Sequence, residues 1–94
     1  MRLDPIEHAA LMRALAGVEG RAFLFGSRVN DAACGGDIDV LVFSQEDPYR
    51  VAQRVATAFF AACEEHLDVV VMNPERLTPE QQAFLNVIQT VPLS

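Results

Sequence analysis

The chain contains no lysine, and its seven basic side chains are all arginines. Thirteen acidic residues outnumber them, which gives a formal net charge of −6. Nonspecific binding to nucleic acid needs a positively charged surface, so this balance argues against direct binding to nucleic acid. Genome composition alone can produce arginine without lysine, so this usage does not by itself indicate a phosphate site.

Cysteines and long apolar runs are also scarce. Cys34 and Cys63 lack the spacing of metal ligands or of a C-x-x-C pair, so we expect reduced thiols in a cytoplasmic protein. The longest apolar run, residues 55–63, is too short to cross a membrane, and no membrane partner is expected. The polar, acidic start of the chain is unlike a signal peptide. We find no repeat, linker or low-complexity segment.

The 94 residues, of which 51% are hydrophobic, predict one domain spanning 1–94 with a thin core. Helix starts are marked by Asp-Pro at 4–5 and 47–48 and by Thr-Pro at 78–79. In each pair the first residue can cap the helix and the proline fits its first position. These signals, with apolar residues at helical spacing, predict helices over 5–16, 48–65 and 79–90.

Three short segments rich in β-branched or aromatic residues lie between these helices, and they predict strands over 21–25, 37–43 and 67–72. A long helix joins the second strand to the third, so we expect a crossover connection with these two strands parallel. The predicted fold is therefore α/β, with a small mixed β-sheet and flanking helices.

Three aspartates stand at the starts of two predicted strands. Asp37 and Asp39 point to the same face because strand side chains alternate, and Asp68 opens the next strand. Parallel pairing would bring all three to one end of the sheet, whereas antiparallel pairing would separate Asp39 from Asp68. Three neighbouring carboxylates repel one another unless a cation is bound. Mg²⁺ takes such ligands together with substrate phosphate, and paired ions assist phosphoryl displacement.

A Gly-Ser pair follows the first predicted strand. Gly26 ends that strand, and Ser27 begins what we expect to be a tight turn into a short helical segment. Backbone N–H groups exposed in such a turn can hold phosphate, and the serine hydroxyl adds another donor. The spacing therefore favours a phosphate-binding turn close to a metal site.

The combination of Gly26-Ser27, Asp37-x-Asp39 and Asp68 resembles the signature of the DNA polymerase beta-like nucleotidyltransferases. The chain is most similar to the minimal nucleotidyltransferases, short chains often encoded beside a helical HEPN partner. The resemblance implies the palm-like nucleotidyltransferase fold, with Gly26 and Ser27 holding a triphosphate. It also implies that Asp37, Asp39 and Asp68 are catalytic and bind two Mg²⁺ ions, which Mn²⁺ can replace, with Asp68 helping to activate the acceptor hydroxyl.

The implied activity is transfer of a nucleoside monophosphate, AMP from ATP, to a hydroxyl of a HEPN-type toxin, so that the chain acts as an antitoxin within a homo- or hetero-oligomer. The loop departs from the family pattern at Asn30-Asp31, where a glycine is common, and at Cys34-Gly35, where several members carry a base. Positive charge for the triphosphate is then expected from Arg28, or from Arg50 and Arg54.

Two alternatives remain open at this stage. The chain can be a non-catalytic module that neutralises a helical partner by contact, or a nucleotidyltransferase subunit that modifies a small molecule. Small-molecule relatives carry a second domain for the acceptor, and an end at Ser94 favours a partner protein instead.

Two further expectations concern surfaces. We expect an exposed apolar patch beyond the acids, only partly covered by the first helix and formed by Leu41, Phe43, Val70 and Met72. We interpret His66 as a strand-edge residue.

Overall fold

The structure is a computed structural model that describes residues 2–30 and 37–93. These residues form three helices and a mixed four-stranded sheet, which confirms the predicted fold class. The helices are α1 (Pro5–Leu15), α2 (Pro48–Phe60) and α3 (Pro79–Val87). The strands are β1 (Arg21–Phe25), β2 (Ile38–Phe43), β3 (Leu67–Met72) and β4 (Thr90–Pro92), and a 3₁₀ turn (Gly26–Val29) follows β1.

The three helix starts predicted from the sequence are confirmed. At α1 the Asp4 carboxylate accepts from the Glu7 N–H at 2.8 Å, and the Glu7 carboxylate accepts from the Asp4 N–H at 3.0 Å. Thr78 and Gln81 form the same reciprocal pair at α3, and Asp47 caps α2. Each cap satisfies backbone N–H groups that the helix leaves unpaired.

Two predicted helix ends are wrong. The helix predicted to reach residue 65 ends at Phe60, and the one predicted to reach residue 90 ends at Val87 and gives way to β4. β4 pairs antiparallel with β1, and the Leu93 N–H donates to the Ala22 carbonyl at 2.8 Å. Pairing with a distant strand therefore decides the conformation of a segment whose apolar spacing also fits a helix.

The strands lie in the order β3-β2-β1-β4. β2 and β3 are parallel, as predicted, and α2 connects them, whereas β1 runs antiparallel to β2. In this register Asp39 lies opposite Phe25 on one side and Asp68 on the other. The end of β1 and the starts of β2 and β3 thus meet at one edge, which we call the acid end of the sheet.

One face of the sheet packs against α1 and α2. Leu24, Val40 and Val42 lie on this face and are fully buried. The helices cover them with Leu11, Val51, Val55 and Phe59. The expectation that the first helix covers the acid-bearing face is therefore wrong, since α1 lies on the opposite side with α2.

The acid-bearing face packs against α3. Leu41 and Met72 are buried there with Phe25, and the Phe25 and Phe84 rings meet edge to face with centroids 5.5 Å apart. The predicted exposed apolar patch is thus largely covered by a helix of the same chain. No helix within residues 2–30 and 37–93 is long and apolar enough to cross a membrane.

Candidate active site

The structure brings the three aspartates together at the acid end. Asp37 immediately precedes β2, and Asp39 and Asp68 are the second residues of β2 and β3, where they lie directly opposite each other. Asp37 and Asp68 are exposed, and Asp39 is partly buried. The parallel pairing predicted from the crossover therefore produces the proximity that the sequence argument required.

The electrostatics of Asp39 show how closely these groups interact. Burial raises the pKa of the Asp39 carboxyl, and the charges of Asp68 and Asp37 raise it further. His66 lowers this pKa, whereas a hydrogen bond with Asp68 raises it. A divalent cation bound between neighbouring carboxylates offsets their mutual repulsion. The residues present therefore fit a magnesium-type ion.

Gly26 places the turn after β1 directly against the acids. Its φ of +78° lies in the left-handed region that side chains disfavour, and a Cβ at this position would overlap Asp39 Oδ2. Ser27 follows on the exposed surface of the 3₁₀ turn. The predicted phosphate-binding pair and the predicted metal ligands therefore share one edge of the sheet.

We expect Gly26→Ala to destabilise the protein by about 1–3 kcal/mol and to weaken binding of Mg²⁺ with ATP, because the methyl group displaces the Asp39 carboxylate and strains the backbone. Urea unfolding and calorimetric titration measure the two effects. Gly17→Ala is the matched control, since a Cβ there meets nothing within 4 Å. Equal stability and equal binding of Mg²⁺ with ATP in the two variants would show that the close approach of Gly26 to Asp39 affects neither.

Arg28 has a structural role that the sequence did not indicate. It is buried, and its Nη1 and Nη2 donate to Glu7 Oε1 and Oε2 at 2.9 and 3.1 Å. Nη1 also donates to the Arg2 carbonyl at 3.0 Å. The hydrogen bond from Arg28 is the main cause that lowers the pKa of Glu7. This pair fixes the 3₁₀ turn to α1, and the predicted contact of Arg28 with a triphosphate stays a prediction.

Replacing Glu7 with glutamine should cost about 3 kcal/mol of unfolding free energy, because the buried Arg28 charge loses its partner. For a domain of this size that corresponds to a fall in Tm of roughly 12–24 °C. The lowered pKa of Glu7 means that its contribution is present at neutral pH and is lost as the pH falls through the folded-state value. Thermal unfolding at pH 7, with the exposed Glu19→Gln as control, measures the loss, and a Tm equal to wild type would contradict it.

Arg50 and Arg54 lie on the exposed surface of α2. Arg50 is in the first turn of this helix, which begins beyond the far end of β2, away from the acids. Arg54 Nη2 lies 3.4 Å from Glu46 Oε2, so Arg54 pairs with Glu46. The structure thus places both arginines on a solvated surface, where Arg54 pairs with Glu46.

His66 is the residue that sequence reasoning missed. Its Nε2 lies 3.0 Å from Asp68 Oδ1, and one ligand atom each of Asp37, His66 and Asp68 lie within 4.8 Å of one another. The signal was present in the spacing, because His66-x-Asp68 at the start of β3 repeats Asp37-x-Asp39 at the start of β2, with the first residue of each motif just before its strand. The parallel register aligns the two motifs. Asp31, Cys34 and Gly35, which the sequence analysis singled out, lie outside the described residues.

Comparison with known proteins places the site in a family. None of the curated proteins compared with the chain matches it. The sequence model described as a nucleotidyltransferase domain matches residues 7–89. That range contains the Gly-Ser turn, the three aspartates and His66. The match covers most of the chain and agrees with the mixed sheet and its clustered acids, and the chain therefore belongs to the nucleotidyltransferase domain family.

Proposed function

We propose that the protein uses a divalent metal to transfer AMP from ATP to a hydroxyl of a small helical partner protein, and that it acts as an antitoxin. Family membership supports the transfer of a nucleoside monophosphate in general. The observation that carries the proposal is the pairing of Asp39 with Asp68 across parallel strands, with the backbone of Gly26 against Asp39. ATP as the nucleotide and a helical protein as the acceptor are our proposals in addition to this general activity of the family.

Asp37, Asp39 and Asp68 are the residues that would hold the metal. These ligands offer carboxylate oxygens, which suit Mg²⁺ and Mn²⁺, and Asp37 and Asp68 are exposed to solvent. When bound, two such ions would neutralise charge on the entering and leaving oxygens of the phosphoryl group. Burial is the main cause of the raised pKa of Asp39, and repulsion by Asp68 and Asp37 adds to it; a bound cation would relieve that repulsion.

The reaction we propose is a single displacement at the α-phosphorus. A bond forms between that phosphorus and the acceptor oxygen, the bond to the bridging oxygen of the β-phosphate breaks, and pyrophosphate leaves. The proton of the acceptor hydroxyl passes to the Asp68 carboxylate and then to solvent. Backbone N–H groups after Gly26 and the Ser27 hydroxyl would donate to the phosphate oxygens and hold the nucleotide in place.

The position of Asp68 supports an acceptor carried by another protein. β3 is an edge strand, and 55% of the Asp68 side chain is exposed, so a hydroxyl on a second protein can reach it. A cavity of about 450 Å³, lined by residues that include Gly20 and Phe43, lies at the opposite end of β2. The acids lie outside this cavity, at an end of the sheet where Asp37 and Asp68 are exposed. The helical HEPN-type identity of the partner is part of this proposal, and the resemblance to the minimal nucleotidyltransferases supports it.

Intact-mass spectrometry tests the proposal. After incubation with ATP and Mg²⁺, a helical protein encoded beside this chain should gain about 329 Da for each AMP attached to Tyr, Ser or Thr. The Asp37→Asn/Asp39→Asn variant is the control and should leave the partner mass unchanged. A stable complex without a mass change under any of the four nucleotides would favour neutralisation by contact. Transfer to a small molecule without a partner would overturn the protein-acceptor proposal.

A further inference from the structure

We propose that His66 is a nitrogen ligand of the metal site, which makes the site a mixed imidazole and carboxylate centre that favours Co²⁺, Ni²⁺ or Zn²⁺ relative to an all-oxygen site. The inference rests on the proposed function, because it assumes that the acids bind metal. It adds a residue and a metal preference that the three aspartates alone do not give.

The sheet register holds His66 in the place of a ligand. The Ile38 N–H donates to the His66 carbonyl at 3.3 Å, and the next pairs along the ladder are Ile38 with Leu67 and Asp39 with Asp68. One step earlier in the same register, His66 lies beside Asp37. Because residues two apart on a strand share a face, the four side chains form two adjacent rows on the acid-bearing face.

The distances suit a shared ion. A metal with ligands at about 2.1 Å in octahedral geometry places neighbouring ligand atoms about 3.0 Å apart and opposite ones about 4.2 Å apart. His66 Nε2 and Asp68 Oδ1 are 3.0 Å apart, and one ligand atom from each of Asp37, His66 and Asp68 lies within 4.8 Å of the other two. The side chains of His66 and Asp68 are 59% and 55% exposed, which leaves them room to adjust.

Ligand chemistry sets the expected preference. Carboxylate oxygens suit Mg²⁺ and Mn²⁺, whereas imidazole nitrogen suits the later divalent ions, whose affinity for nitrogen ligands rises from Mn²⁺ through Co²⁺ to Ni²⁺. An imidazole should therefore strengthen binding of Co²⁺ much more than binding of Mg²⁺. A histidine that only orients Asp68 by a hydrogen bond would instead support both ions to a similar degree.

The test is calorimetric titration of the whole chain with Co²⁺ and with Mg²⁺, each in the presence of a non-hydrolysable ATP analogue. His66→Ala should weaken Co²⁺ binding by about tenfold or more and Mg²⁺ binding by less than about twofold. His8→Ala is the matched control, because His8 is the other of the two histidines in the chain and is exposed on α1. Circular dichroism confirms that each variant is folded.

Pulsed electron paramagnetic resonance of bound Mn²⁺ gives a second readout that does not depend on activity. A nitrogen hyperfine signal should appear in the wild type and in His8→Ala and be absent in His66→Ala. Equal losses for both ions, or no nitrogen signal in the wild type, would overturn the inference while leaving the proposed function intact. If Asp37→Asn/Asp39→Asn binds both ions as the wild type does, the metal site itself is misplaced and the proposed function fails as well.

Discussion

Changing Asp37 and Asp39 together to asparagine will abolish the rise in Tm that Mg²⁺ or Mn²⁺ with ATP gives the wild-type protein. At a ligand concentration 100 times Kd, binding stabilises a folded protein by about 2.7 kcal/mol, which is roughly 10–20 °C for a domain of this size. The variant loses this gain because two of its three carboxylate ligands become neutral amides. Thermal unfolding with and without the metal nucleotide measures the effect, and an equal shift in the variant would place the site elsewhere.

Without metal, the same change should not destabilise the fold. The pKa of Asp39 in the folded protein is raised above 3.8, so the folded state binds more protons than the unfolded state. Its contribution to stability is therefore present at low pH and is lost as the pH rises through the folded-state pKa. We expect urea unfolding of the metal-free proteins from pH 4 to 7 to show that the free energy of unfolding of the wild type falls relative to that of Asp39→Asn. A difference that does not change with pH would mean that the pKa of Asp39 is not raised in the folded protein.

Substituting alanine for Asp68 will stop nucleotidyl transfer while leaving much of the triphosphate binding intact. Removing a group that holds the metal and receives the acceptor proton should cost about 4 kcal/mol of transition-state stabilisation, which is roughly a thousandfold in rate. The Gly26-Ser27 turn, which would hold the triphosphate, is unchanged in this variant. Radiolabel transfer and calorimetric nucleotide binding, measured together, separate the two effects.

Glu80→Ala is a suitable control for the Asp68 variant. Glu80 is an exposed acid on α3, and its removal changes the net charge by the same amount. We expect transfer to continue at the wild-type rate in this control. Transfer at the wild-type rate in Asp68→Ala would show instead that Asp68 is structural and that the metal site does not need the third strand.

The parts of the fold that the sequence revealed are those fixed by local chemistry. The caps at Asp4, Asp47 and Thr78 involve residues two or three apart, so their signal lies within a few letters. The parallel pairing of β2 and β3 followed from the length of the connection between them. Together, alternation along a strand and the crossover were sufficient to bring Asp39 opposite Asp68.

The parts that were missed depend on partners distant in the chain. Val91 fits a helical apolar pattern as well as a strand, and only pairing with β1 selects the strand. Arg28 is held by Glu7, 21 residues earlier, so the residues around the Gly-Ser pair contain no signal that Arg28 is buried. The sequence could have predicted His66 as a site residue, since its spacing to Asp68 repeats that of Asp37 to Asp39. Its position beside Asp37 becomes visible once the register of the two strands is known.

Anomalous diffraction from crystals grown with Mn²⁺ and a non-hydrolysable ATP analogue locates the metal directly. We expect anomalous peaks within about 2.5 Å of carboxylate oxygens of Asp37, Asp39 and Asp68, with the triphosphate against the Gly26-Ser27 turn. Mn²⁺ bound elsewhere on the protein, with these three carboxylates free of metal and of nucleotide, would contradict the assignment of the acid end as the active site.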